Sequence, residues 1–370
     1  MLVGSDLLAE SSHALGAMKT WAKHSGVMLN RLFGVRPVCV LAVLVPVLVA
    51  ALSACTSGAK SAESARAEQG TSEPLSRTAP SDTSQSPANA CTANGVVIQV
   101  LGSGGPEMHG RASSGYLIRI DGKARVLVDA GGGTALRFGQ SGARMSDLDV
   151  VLLSHLHADH SSDLIALIKS AHFEPRTRAL PIVGPVGSGL YPSTTLFVSR
   201  LVGPEMGAWI YLGEVGNEAT FELAPTDIGV ADASQHVAWT GERIRATALG
   251  VHHHDVPTLA WRVEVGGKTI VFSGDTNDED GQLGEFARGA NVMVVHHGLA
   301  PGWHPIEGTL HMAPEGIAKV LGVARPDLAV LSHRRPQTLG KEPATVSIIR
   351  ERYDGPLYFA DDLDCFALSR

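Results

Sequence analysis

From Val96 onward the chain is built of short apolar runs that end in glycine, aspartate or histidine. Val96-Val97-Ile98-Gln99-Val100-Leu101, Gly115 to Ile120 and Arg125 to Val128 are too short for helices and rich in β-branched residues, so they predict three strands. Asp121-Gly122 predicts a tight turn between the second and third. Asp149-Val150-Val151-Leu152-Leu153 predicts a buried strand, and the apolar spacing after Ser161-Ser162-Asp163 predicts a capped helix. Ala179 to Val183 follows as a strand, then a Gly184-Pro185 turn. A mixed stretch to about Ala224 contains Trp209 and Tyr211, which either line a pocket or pack in a core. Arg243 to Val251, Leu259 to Val265 and Thr269 to Phe272 predict a second set of strands, the last two joined by Gly266-Gly267.

The first 90 residues break this pattern. Arg31 and Arg36 precede an apolar run from Val38 to Leu52 that ends in Leu52-Ser53-Ala54-Cys55. A charged segment followed by such a run has the form of an export signal, and the ending resembles that of a bacterial lipoprotein, whose cysteine is lipidated. An uncleaved membrane anchor is the alternative, although the run is short for a span of about 20 residues. Residues 1–54 therefore predict a signal region, with Met28 as a candidate true start. From Thr56 to about Asn89 there is almost no large apolar residue, so residues 55–92 predict an unfolded tether to a membrane, anchored at Cys55. Residues 93–370 form the folded domain. The location this implies is the periplasmic or cell-surface side of a membrane.

Composition and charge narrow the classes of function. The 370 residues carry a formal net charge of -7 and no basic run, which gives no cationic face for nucleic-acid phosphates. Only four cysteines are present. After export, Cys91 and Cys365 would remain, either as a disulfide or as two buried thiols.

The candidate chemistry lies in Ser154-His155-Leu156-His157-Ala158-Asp159-His160, where four metal-ligating side chains fall within six residues between a strand and a helix. Alternate residues of an extended segment point the same way, so His155 and His157 can share one ion while Asp159 and His160 reach another. Imidazole with carboxylate suits zinc; manganese or iron can also be held. Three later apolar runs end in similar residues: His252-His253-His254, Ser273-Gly274-Asp275-Thr276 and Leu331-Ser332-His333. Singly each is a turn signal. Together they complete the donors for two metals.

The ordered set of His155, His157, Asp159 and His160, then His254, Asp275 and His333, resembles the metallo-β-lactamase fold superfamily over about Val96 to Leu368. Leu101-Gly102-Ser103-Gly104, Val128-Asp129-Ala130-Gly131, Gly184-Pro185 and Phe272-Ser273-Gly274-Asp275-Thr276 look like landmarks of its branch holding ribonuclease Z and arylsulfatase-like hydrolases. The resemblance implies an α/β (α+β) chain folded as an αββα sandwich, two mixed β-sheets flanked by helices, with the site along one edge. It implies that His155, His157 and His254 hold one zinc ion, that Asp159, His160 and His333 hold a second, and that Asp275 bridges them. Asp129 matches a position that orients ligands. Asp159 matches the group that orients or deprotonates the attacking water, and His311 a histidine that protonates the leaving group. His296 and His297 fall near another family motif whose Glu is missing, and they stay outside the expected set.

Transfer-RNA-processing ribonucleases of this branch commonly insert an RNA-gripping arm between the third metal histidine and the bridging aspartate. Here Asp255 to Gly274 has room only for a hairpin. The expectation is therefore an exported dinuclear zinc hydrolase of small sulfate or phosphodiester substrates, without nucleic acid as a partner. A ribonuclease Z activity in 3′ transfer-RNA processing and a lactone or amide hydrolase are the alternatives.

Overall fold

The computed structural model describes residues 91–107, 109–213, 221–230, 234–302 and 307–368, all within the unit Arg77–Arg370. The signal region, Met28, Cys55 and nearly all of the expected tether lie outside the described residues. Among the described residues no helix is long and apolar enough to cross a membrane.

Among the described residues, fourteen strands form two seven-stranded sheets. The first half of the domain supplies β1 (Val96–Gly102), β2 (Gly115–Ile120), β3 (Lys123–Val128), β4 (Val150–Leu152), β5 (Leu180–Pro185) and β6 (Leu223–Ile228). The second half supplies β7 (Gln235–Thr240), β8 (Ile244–Val251), β9 (Thr258–Val265), β10 (Lys268–Phe272), β11 (Val292–His296), β12 (Leu328–Ser332), β13 (Leu357–Phe359) and β14 (Cys365–Leu368). The orders are β14-β1-β2-β3-β4-β5-β6 and β13-β12-β11-β10-β9-β8-β7. In each sheet three antiparallel pairings give way to three parallel ones, after β3 in the first and after β10 in the second. Parallel neighbours need crossovers, and these carry most of the helices.

Both faces of the central strands are covered, which is why their sequences run apolar without a polar alternate. Tyr116, Ile118, Trp261, Val263, Phe272 and Val294 point between the sheets and form the middle core. Their neighbours Leu117 and Leu127 face outward onto the helix Leu164–Ala171. Met293, Val295 and Leu331 do the same onto the helix Pro314–Ala324. Each large side chain fully withdrawn from water contributes roughly 1.5–3 kcal/mol. The result is four layers, helix-sheet-sheet-helix, the sandwich expected from the resemblance.

Both hairpin turns have the expected form: Asp121 and Gly122, and Gly266 and Gly267, all take positive φ, the backbone that matches strand twist in a two-residue loop. The Gly184-Pro185 turn is not formed. Both residues belong to β5, paired with Asp227 and Ile228 of β6, so the strand runs two residues further than its apolar core suggested. The mixed stretch holds a helix Thr194–Val202, capped by Ser193 Oγ, and a short helix Ile210–Gly213. Its Trp209 and Tyr211 are exposed rather than packed in a core. The helix expected from Ser161 is two helices, Ala158–Ser161 and Leu164–Ala171. Asp163 caps neither: its carboxylate accepts from the backbone N–H groups of Gly133 and Ala135, anchoring the loop that follows β3.

Cys91 and Cys365 are joined by a disulfide, with Cα atoms 5.2 Å apart. The bond ties the first described residue to β14.

Candidate metal centre

The donors collect where strands of both sheets end. His155 and His157 follow β4, Asp159 and His160 lie on the next short helix, His253 follows β8, Asp275 follows β10, and His333 follows β12. The chain is drawn tightly here. Ala130 N–H donates to the His160 carbonyl at 2.7 Å. A Cβ on Gly131 would lie 2.0 Å from the Asp159 carbonyl oxygen, so only glycine lets the β3 loop pass beneath the motif. Asp129 and His333 hold φ of 57° and 55°, a strained backbone for side-chain-bearing residues that concentrates at functional sites.

Two donor groups result. The first is His155, His157 and His253; the second is His160, Asp275 and His333, with His296 beside it. Asp275 Oδ2 stands between them, 3.3 Å from His160 Nε2, 3.4 Å from His333 Nε2, and 3.9 Å from both His155 Nε2 and His253 Nε2. Asp159 Oδ2 joins the second group, 3.2 Å from His333 Nε2 and 3.5 Å from His160 Nε2.

One donor differs from the expectation. The third histidine of the first group is His253, not His254. His253 is buried, and its Nδ1–H donates to the Leu310 carbonyl at 2.6 Å, which turns Nε2 toward the site. His254 is exposed, has φ 53°, and pairs with the adjacent Asp255. His252 is half-exposed and faces Glu279. Three consecutive histidines carry the same chemistry, and no hydrophobic alternation in this loop says which one turns inward.

Other side chains fix the donors. Asp129 Oδ2 takes the Nδ1–H of His160 at 2.8 Å, and its two oxygens also accept from the Ser154 amide and hydroxyl. Ser154 Oγ lies 3.1 Å from His155 Nδ1. Neither Ser154 nor His296 stood in the expected set, although His296 ends an apolar strand as His155 follows one. His311 lies within the cluster, with Nδ1 3.8 Å from Asp275 Oδ2 and its ring packed under Gly298. His297 is elsewhere, with Nε2 3.1 Å from Thr345 Oγ1.

Electrostatics favour a cation at this place. Burial, reinforced by neighbouring rings, pushes His155 well below the usual histidine range. Burial also lowers His157, takes His253 to about 4 despite Asp275, and takes His311 to about 3. His160 goes the other way: burial works against its charge but is outweighed by Asp275, Asp159 and Asp129. Burial likewise opposes charge on Asp159 and Asp275, yet both are held below the carboxylate range by the histidines around them. His160 Nε2 and His253 Nε2 are buried without a hydrogen-bond partner, and His155 Nε2 faces His157 Nδ1 at 3.1 Å. Buried lone pairs aimed at each other beside buried carboxylates are costly unless a cation joins them. The donor set of imidazole and carboxylate fits zinc.

The sandwich and the paired donor groups define a hydrolase of the metallo-β-lactamase superfamily. The family model described as "Beta-lactamase superfamily domain" matches residues 124–334, more than half of the chain, and the chain belongs to that family. Its relatives include ribonuclease Z of Mycolicibacterium paratuberculosis, 30% identical over 204 residues that cover 54% of this chain and 69% of the relative. Among solved structures, the metallo-β-lactamase fold protein YhfI from Bacillus subtilis has TM-score 0.58 at 18% identity, covering 74% of this chain and 99% of its own. The short form of human tRNase Z has TM-score 0.58 at 18% identity, covering 74% and 100%. At that identity the two structures support the fold alone.

Proposed function

We propose that the protein is a dinuclear metal-dependent phosphodiesterase of the ribonuclease Z kind. The observation that carries this reading is Asp275 Oδ2, which lies 3.3–3.9 Å from ring nitrogens of both donor groups and so is placed to serve both. The phosphodiester class is supported by the curated relatives, named ribonuclease Z. It displaces aryl sulfates as the first substrate class, and it returns nucleic acid to the candidate substrates despite the acidic net charge.

His155, His157 and His253 would hold one ion, and His160, His333 and Asp159 the other, with Asp275 shared. Bound zinc there supplies a Lewis acid and lowers the pKa of nearby water. The chain's own groups do the rest. Asp159, beside His160 and His333, would orient or deprotonate the attacking water. His311 stands beside the shared carboxylate and is kept neutral by burial; an anionic phosphate next to it would draw a proton onto its ring for transfer to the leaving oxygen. Asp129 and Ser154 hold the two histidines of the first motif in their tautomers.

A small phosphodiester is the second reading, favoured by the segment between His253 and Asp275. It forms only the β9–β10 hairpin with its two-residue turn, leaving no arm to grip a large RNA there. We also read the amino-terminal segment as a lipoprotein signal with Cys55 as the lipidated residue. The Cys91–Cys365 bond supports that reading, since disulfides persist in oxidising compartments.

The test is an assay of zinc- and manganese-loaded protein on bis(p-nitrophenyl) phosphate, a 3′-extended transfer RNA, an aryl sulfate and a lactone, beside Asp275→Asn. Turnover of a phosphodiester that the variant loses is the expected result, and RNA against the small diester decides between the two sizes. Turnover of sulfate or lactone alone overturns the phosphodiesterase reading.

A further inference from the structure

Asp275 has two oxygens with different tasks. Oδ2 faces the donor groups, whereas Oδ1 points away from them, 2.6 Å from His296 Nδ1. His296 is buried, and its backbone N–H donates to Ser273 Oγ at 3.0 Å, fixing the ring's origin on β11. Its far nitrogen, Nε2, lies 3.1 Å from the hydroxyl of Tyr116. Tyr116 belongs to β2, in the opposite sheet. Its oxygen reaches across the middle core and also lies 2.9 Å from Ser332 Oγ on β12. The ring stacks at a tilt on Phe272 with centroids 5.4 Å apart and is fully withdrawn from solvent.

The proton placement follows from the acceptors. A carboxylate only accepts, so His296 Nδ1 carries the proton and donates to Asp275. In the neutral ring Nε2 is then a lone pair facing the Tyr116 hydroxyl, which is shared between it and Ser332 Oγ. Ser332 completes the hydroxyl's surroundings. A buried tyrosine hydroxyl in an otherwise apolar core costs free energy unless it is bonded, so a site that retains it has a use for it.

We infer that Tyr116 and His296 are positioning residues that lock the orientation of Asp275, and that through them the two sheets are clamped at the metal centre. The inference rests on the reading of Asp275 as the shared ligand. An unlocked carboxylate can rotate and present either oxygen; the locked one presents Oδ2 alone to both groups. His296, although it sits near the second group, is turned away from the shared oxygen and acts behind it.

Cobalt(II) binding separates this role from simple packing. Full-length wild type, Tyr116→Phe, His296→Asn and His296→Leu are titrated with cobalt against a chelator, and the visible absorption of the bound ion is recorded, with thermal unfolding measured for each. Tyr116→Phe keeps the aromatic ring and deletes only the oxygen. The expected result is an altered cobalt spectrum with several-fold weaker binding in Tyr116→Phe, and a loss of roughly 10–100-fold in His296→Leu. His296→Asn, which can keep a donor to Oδ1, recovers part of that loss. Wild-type affinity and spectrum in a folded Tyr116→Phe or His296→Leu would overturn the inference. Should wild type itself bind no cobalt, the metal-centre reading fails instead, and the two failures are distinct.

Discussion

The two donor groups differ in what holds them. The first, His155, His157 and His253, consists of three imidazoles, and His157 is only partly buried. Its supports are neutral: a serine hydroxyl on His155 and a backbone carbonyl on His253. The second has His160, Asp275 and His333 buried, and two carboxylates outside the shared Asp275 act on it, the partly buried Asp159 among the donors and Asp129 behind His160. Burial moves all three histidines of the first group toward neutrality, while the carboxylates move His160 of the second toward charge. One fold thus builds a weakly charged half-site against a strongly anionic one. The second should hold its ion more tightly.

Removing a donor from the first group tests this most severely. His253→Ala is expected to bind one metal equivalent instead of two and to lose hydrolysis, with the second group still filled; metal analysis after gel filtration reads the stoichiometry. His254→Ala, in the exposed neighbour, should stay within about 0.5 kcal/mol of wild type and keep both equivalents. If the two variants exchange behaviour, the assignment of His253 is wrong.

Acid should reveal the asymmetry in metal-free protein. His253, His297 and His311 have folded values of about 4, 4 and 3, below the ordinary 6.5, so between those limits the unfolded chain binds more protons and stability falls as pH falls. For His297 alone, which is clear of the metal donors, the shift corresponds to roughly 3 kcal/mol at about 1.4 kcal/mol per unit. His160 has the opposite sign: its stabilisation is present below 6.5 and fades only as pH rises through its elevated folded value. Urea midpoints from pH 7 to pH 4 should fall, and fall less in His297→Gln. A flat profile would refute the burial argument.

A smaller effect addresses the supports. Asp129→Asn, which removes the carboxylate behind His160, should weaken the second metal by roughly 10–100-fold. Ser154→Ala, which removes the neutral contact to His155 and one bond to Asp129 while leaving that carboxylate on His160, should weaken the first by less. Competition with a chelator orders the two, and equal losses would mean that charge behind the ligand is not what separates the halves.

Much of this could be read from residue order alone, for reasons that vary by element. The β1–β3 and β8–β10 runs were legible because burial on both faces leaves continuous apolar sequence. The two-residue turns were legible because Asp-Gly and Gly-Gly are among the few pairs that readily take positive φ at both positions. The donors after β4, β10 and β12 stood out because polar residues end apolar strands. His253 was hidden by two identical neighbours, and what selects it is a carbonyl at Leu310, 57 residues away. Tyr116 and His296 were hidden because a β2 tyrosine looks like core until the second sheet is laid on it. The strands β6 and β7 were missed since their edge positions leave them half-exposed and polar.

The pairing of β14 with β1 has a consequence for how the molecule is made. Val96 meets Leu368 and Gln99 meets Cys365, so the first strand of the domain waits for a partner made long after it. Until then β1 is a bare edge, open to pairing with another chain. A molecule lacking β14 would carry every metal donor and still expose that edge. Arrival of β14, rather than acquisition of the donors, is what seals the sheet, and the Cys91–Cys365 bond fastens it there.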